Sequence, residues 1–186
     1  MRGKGGDGVS ASSSSRHDQY DGLLKQYAEE YGLEWRLLKR QMLAESGGNP
    51  RAVSPRGAKG LMQFMPGAWR EWGQGDPFDP AASIRAGAAY MRFLLSKFQE
   101  IPDDRERYKF ALAAYNAGRA NINRCLEYAR QATGAPGSFD EWVKAGRPPG
   151  PWQEWKVARE FLSMVTGRNA AVTIRYVEQI MGEEEE

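Results

Sequence analysis

The residues most able to do chemistry lie in one stretch of this chain, from Glu45-Ser46-Gly47-Gly48-Asn49-Pro50 to Gly60-Leu61-Met62-Gln63. Trp35, Leu38 and Met42 recur at steps of three and four, and the next member of that series is Glu45, so a carboxylate falls on the apolar stripe of a helix. Burial disfavours the ionised form and raises the pKa. An acid of that kind can hold a proton near neutral pH and give it to a leaving group. The same spacing also lets Glu45 turn outward to cap the loop, or pair with Arg40 or Arg51. In a second stretch, Ala113-Ala114-Tyr115-Asn116-Ala117-Gly118, small residues surround a phenol and an amide at the end of a helix. Tyr115 and Asn116 could point into a gap there, although core packing with an Asn/Gly stop would use the same residues. Ala86-Gly87-Ala88-Ala89-Tyr90 permits close approach of a neighbouring helix.

Other chemistries find little support. The chain has 186 residues with one Cys and one His, which allow no intramolecular disulfide and no ordinary zinc site. No metal or other cofactor is expected. A Ser-His-Asp triad would need His17, which adjoins a Gly/Ser-rich tail. The net charge is +2, from 26 basic and 24 acidic residues, but four of the acids form the run Glu183 to Glu186 and the body therefore carries +6. A basic body suits a polyanionic partner such as nucleic acid, anionic lipid or bacterial wall, and equally serves plain solubility. The chain lacks an ordered Arg/Lys stripe with interleaved aromatics, so nucleic-acid binding is not expected. No apolar run reaches membrane-spanning length, and the first residues carry no apolar segment of the signal-peptide kind.

These side chains need helices to position them. Residues 1–17 read as a flexible Gly/Ser-rich tail, 18–182 as one domain and 183–186 as an acidic tail. Helical spacing covers Leu23 to Tyr31 with a stop at Gly32, then about Glu34 to Ser46. A short turn follows at Gly60 to Phe64, and Pro66 opens a helix ending near Gly73. Asp79-Pro80 begins a helix to about Phe98, and Asp103 or Asp104 caps one that runs to Asn116. Further helices are predicted over about Asn121 to Ala132, Ser138 to Ala145, Pro151 to Val165 and Val172 to Met181, with Ser138 and Glu141 at capping-box spacing. No run alternates with period two, so the domain reads as all-α.

The order Glu-Ser, Pro-x-Ala-x-Ser-x-x-Gly-Ala-x-Gly-Leu-Met-Gln, Asp-Pro with Ala-Gly-x-x-Tyr, then Ala-Tyr-Asn-Ala-Gly resembles the soluble lytic transglycosylase (SLT) family. The first motif matches at Glu45, Ser46, Pro50, Ala52, Ser54, Gly57, Ala58, Gly60, Leu61, Met62 and Gln63. Specific motifs cover about residues 20 to 125, and a looser likeness extends to 181. The resemblance implies a goose-type lysozyme-like helical domain. It further implies cleavage of the β-1,4 bond between N-acetylmuramic acid and N-acetylglucosamine without water, leaving a 1,6-anhydro ring. By the same resemblance Glu45 is acid and then base, Ser54 and Gln63 contact substrate or hold the acid, Met62 lines the groove, and Tyr115 and Asn116 bracket the acid. Tyr176 falls in a late motif as a further substrate-binding candidate.

One feature of the residues agrees independently. Two-carboxylate glycosidases flank the bond with acids, but the 25 residues after Glu45 contain no Asp or Glu, and Glu71, Asp76 and Asp79 fall in caps or solvent-facing contexts. A lone acid calls for help from the substrate, which the 2-acetamido group can give. The late motif departs from the family at Val172, where a Glu is usual, while Thr173, Tyr176 and Val177 match. Trp142, Trp152 and Trp155 could extend a sugar-stacking groove or fill a core. The expectation is a monomer acting on peptidoglycan strands at the bacterial wall, in the periplasm or outside. The segment without a Sec signal fits a phage or virion-associated enzyme, or a domain of a larger secretion assembly. A hydrolytic muramidase and a non-catalytic wall-binding virion protein are the competing expectations.

Overall fold

The structure is a computed structural model and describes residues 17–136 and 138–182. The tail residues 1–16 and 183–186 lie outside the described residues. Ten α-helices follow one another among the described residues: α1 (Asp21–Tyr31), α2 (Trp35–Ser46), α3 (Pro66–Trp72), α4 (Pro80–Ser96), α5 (Asp104–Ala117), α6 (Arg119–Ala132), α7 (Phe139–Lys144), α8 (Trp155–Ala158), α9 (Leu162–Thr166) and α10 (Ala170–Met181). Extended pairing among them is limited to two isolated bridges, Val53 with Lys59 and Lys59 with Phe64. Among the described residues the fold class is all-α.

Local chemistry explains most boundaries. Gly32 and Gly47 take left-handed conformations that release the chain from α1 and α2. Asp79 and Asp103 each accept a hydrogen bond from the backbone N–H three residues on, at 2.8 Å, so α4 and α5 begin where the sequence places their caps. Ser138 and Glu141 form a reciprocal capping box at the start of α7.

The predicted helix from Pro151 to Val165 is the main departure. That segment breaks into a 3-10 turn (Pro151–Gln153), α8, a second 3-10 turn (Arg159–Phe161) and α9. The physical cause is burial: Trp152, Trp155, Ala158 and Leu162 must all face one core, and the two steps of three from Trp152 to Ala158 suit the tighter winding in which i and i+3 eclipse. The three tryptophans are therefore core residues, with Trp142 edge-on to Trp152 and Trp155 edge-on to Phe110.

Two hydrophobic clusters share the interior. One gathers Leu24, Ala28, Leu38, Met42, Leu61, Met62 and Ile84, and the other gathers Phe98, Phe110, Leu126, Trp152, Leu162 and Ile180. Helix α4 serves both, sending Ile84, Ala86 and Ala88 into the first and Met91 and Leu94 into the second. Tyr90 and Tyr115 pack against each cluster, so they mark the seam. Helix α2 packs on α1 and α10, and α5 packs on α4, α6 and α10. The C-terminal helix α10 thus closes over both the acid-bearing helix and the Tyr-Asn helix.

Candidate active site

Glu45 is the penultimate residue of α2 and is partly buried. Desolvation pushes its carboxyl up to about 7, opposed by a hydrogen bond from Tyr176. That bond runs from the Tyr176 hydroxyl to Glu45 Oε1 at 2.6 Å. The carboxyl also sits in the last turn of a helix, where the macrodipole is negative and works in the same direction as burial. No ion pair to Arg40 or Arg51 forms: the Arg40 guanidinium instead donates to the Ile180 carbonyl at 3.2 Å and ties α2 to α10. Nor does Glu45 cap the loop. Ser46 does that, donating to the Met42 carbonyl and accepting from the Gly48 N–H.

The loop that follows is stitched by its own polar groups. Ser54 Oγ accepts from the Ala58 N–H at 3.0 Å, and Gln63 Nε2 donates to the Gly60 and Ala52 carbonyls at 2.9 and 3.2 Å. Gln63 adopts φ of 51°, a left-handed conformation costing a non-glycine residue about 1 kcal/mol, which these two bonds help sustain. Gly60 is required outright. Its φ is 77°, and a Cβ there would stand 2.0 Å from the Pro77 carbonyl oxygen. Ser54 and Gln63 are thus seen holding the loop, and no described hydrogen bond joins either of them to Glu45.

Met62 departs from the expectation that its side chain lines a groove. It is fully buried and lies against Gly87, where a Cβ would come within 2.6 Å of its Cε. Its backbone does the visible work, its N–H donating to Ser83 Oγ at 3.1 Å and its carbonyl accepting from the Tyr115 hydroxyl at 2.8 Å. Ser83 was not singled out by sequence, although one Ser inside the otherwise apolar face of α4 was a signal available for it.

The Tyr-Asn pair divides its tasks. Tyr115 is held beside Glu45, close enough for the carboxylate's field to add to burial in keeping the phenol protonated. Asn116 faces solvent and its Oδ1 accepts from Thr173 Oγ1 at 2.8 Å, which fastens α5 to α10. Tyr176, expected to touch substrate, has its hydroxyl committed to Glu45, and burial with the adjacent carboxylate keeps it protonated too. Glu45 therefore sits among two neutral phenols. The desolvation and the Tyr176 bond that set its pKa involve no second carboxylate. Asp76 accepts from the Phe78 N–H, Asp79 caps α4, and Glu71 is exposed.

A cleft of about 550 Å³ opens at the Asn116–Thr173 link and is lined also by Arg56, Asn121, Thr166, Asn169 and Val172. Val172 is 59% exposed, so the position where the late motif departs from its family is a cleft wall. A cleft of similar size, about 560 Å³, lies elsewhere between Leu33, Leu95 and Tyr108 and includes none of these residues.

Fold and site together define a lysozyme-like helical domain with a single protonatable acid at the seam of its two hydrophobic clusters. Residues 22–136 match the family model for the Transglycosylase SLT domain, and the chain belongs to that family. Among curated relatives, the membrane-bound lytic murein transglycosylase F of Alcanivorax borkumensis is 37% identical over 123 residues, 66% of this chain and 26% of that protein. The enzyme of the same name from Desulfosudis oleivorans is 30% identical over 175 residues, 90% of this chain and 36% of its own length. That from Yersinia pestis is 39% identical over 125 residues, covering 67% and 24%. This chain thus spans about a quarter to a third of these relatives. The crystal structure of the 70 kDa soluble lytic transglycosylase of Escherichia coli superposes with a TM-score of 0.57 at 24% identity, covering 88% of this chain and 23% of that one. The lytic transglycosylase Slt of Pseudomonas aeruginosa gives 0.52 at 24% identity, with 88% and 25% covered.

Proposed function

We propose that this chain cleaves the β-1,4 bond between N-acetylmuramic acid and N-acetylglucosamine in peptidoglycan without water, leaving 1,6-anhydro-muramic ends. The observation that carries this reading is Glu45, raised to about 7 by burial and hydrogen-bonded to Tyr176, with no carboxylate among the described residues contributing to its shift. The protonated carboxyl gives its proton to the glycosidic oxygen, and the C1–O bond breaks as the N-acetylglucosamine hydroxyl leaves. The muramic 2-acetamido group stabilises the positive charge developing at C1. The Glu45 carboxylate then removes the proton of the C6 hydroxyl, whose oxygen closes on C1, and the acid is regenerated. Tyr176 supports the interval between the two steps, because its O–H donates to the carboxylate while it is charged.

The names of the relatives, murein transglycosylases of bacteria, support a wall substrate, and the exposed Arg56 in the cleft suits an anionic glycopeptide. Residues 18–182 are the proposed working unit, acting on the wall in the periplasm or outside. No helix among the described residues is long and apolar enough to cross a membrane.

Mass spectrometry of sacculi digested by the chain tests the reaction. Fragments ending in anhydro-muramic acid are expected, each one water lighter than a hydrolytic product. Reducing muramic ends would establish a muramidase instead. Binding to sacculi with no fragments from the wild-type chain would establish a wall-binding protein.

A further inference from the structure

Gln41 is a fully buried polar side chain in this region that the proposed mechanism leaves unused. It lies four residues before Glu45 on α2, so the two side chains share a helix face, and α2 packs directly on α10. It is fully buried, and neither its Oε1 nor its Nε2 has a partner within ordinary hydrogen-bond geometry. A buried amide left so costs about 1–3 kcal/mol for each unsatisfied group, and a Leu or Met would fill the position without that cost. The amide nevertheless acts on one group: it favours negative charge on the Tyr176 oxygen, the sign of an N–H donor. Hydrogen bonds at reacting centres are often long in the free enzyme and tighten when substrate seats.

We propose that Gln41 is a positioning residue, its buried side-chain N–H directed at the Tyr176 oxygen so that the Tyr176 O–H is held on Glu45. The chain of donors runs one way, from the Gln41 amide to the phenol and from the phenol to the carboxylate. An N–H at the phenol oxygen makes the O–H a stronger donor and steadies the ring against rotation. It thereby stabilises the Glu45 carboxylate, the form that must take the C6 proton. The inference rests on the reading of Glu45 as the acid and base. The titratable groups that the field of the Glu45 carboxylate reaches are Tyr115 on α5 and Tyr176 on α10.

The test is a double-mutant cycle of Gln41→Met and Tyr176→Phe, with two readouts. The first is the Glu45 carboxyl titration followed by carbon-detected NMR. The second is steady-state cleavage of purified glycan strands, with kcat and KM resolved. Gln41→Met is expected to melt at the wild-type temperature or above it, because it removes a buried unpaired amide. It should raise the Glu45 midpoint and lower kcat by about 10-fold, with KM within about 2-fold. Added to Tyr176→Phe, it should change neither readout further, since its effect passes through the phenol. Additive losses, or an unchanged midpoint and kcat in Gln41→Met, would overturn the proposal. Gln41→Leu guards against a shape effect: if both apolar variants lose cooperative unfolding, Gln41 is a structural residue and the proposal fails. Should the wild-type chain leave glycan uncut, the functional reading falls, while the NMR midpoints still decide the Gln41–Tyr176–Glu45 coupling.

Discussion

Glu45 carries the heaviest electrostatic cost in the site, and that cost has a measurable sign. Between the ordinary carboxyl value of 4.5 and about 7, the folded chain holds a proton that the unfolded chain has released. Stability therefore falls as pH rises through this window, by up to ~3 kcal/mol from this group, and the loss is complete above pH 7. Glu45→Gln removes the titration, so urea unfolding should find it more stable than wild type at pH 8 and little different at pH 4. Its cleavage rate should fall at least ~100-fold with the fold intact, as expected of a general acid removed. In the wild type, log(kcat/KM) should turn downward above pH about 7 with unit slope, since protonated Glu45 is the competent form. The sequence pointed to a buried carboxyl at the end of a helical stripe, while the desolvation that lifts Glu45 to about 7 comes from the folded surroundings. The alternatives it left open, a cap or an arginine pair, were decided by groups distant in the chain: Ser46 holds the cap and Ile180 takes Arg40.

At the scale of elements, the loop between α2 and α3 is the piece that tolerates least. Gly60→Ala combines a left-handed φ with a backbone clash at the Pro77 carbonyl, and should cost at least ~2–3 kcal/mol in chemical denaturation. The fastening of α5 to α10 is more forgiving. Thr173→Val deletes the hydroxyl that reaches Asn116, and should cost about 1 kcal/mol while releasing Asn116 toward the cleft. Helix starts were legible because caps are local, as Asp79, Asp103 and Ser138 illustrate. The segment from Pro151 to Val165 does not form the single helix its spacing predicts, because its winding answers to Trp155 packing on Phe110 and Trp152 packing on Trp142, contacts made outside the segment. Met62 differs from its expected place for a related reason: a conspicuous motif residue can act through its backbone while its side chain fills the core.

For the whole molecule, the family match ends at residue 136, yet the site does not. Tyr176 and Thr173 come from α10, and Trp152, Leu162 and Ile180 complete the second hydrophobic cluster. A fragment covering residues 17–136 should therefore lose cooperative unfolding by circular dichroism and bind a hydrophobic dye, with no cleavage. Trp152→Ala, at a fully buried position, should cost about 3–5 kcal/mol in the intact chain. By itself the sequence determined the helical class, most caps and stops, the glycine loop and the place of Glu45 on an apolar stripe, because each depends on neighbours within a few residues. Tertiary structure alone decided what sets the acid's state. Tyr176 is 131 residues from Glu45, and packing of α10 on α2 brings its hydroxyl to 2.6 Å from the carboxylate oxygen. Desolvation, likewise, is a property of the surroundings that the folded helices create, and no local spacing contains it.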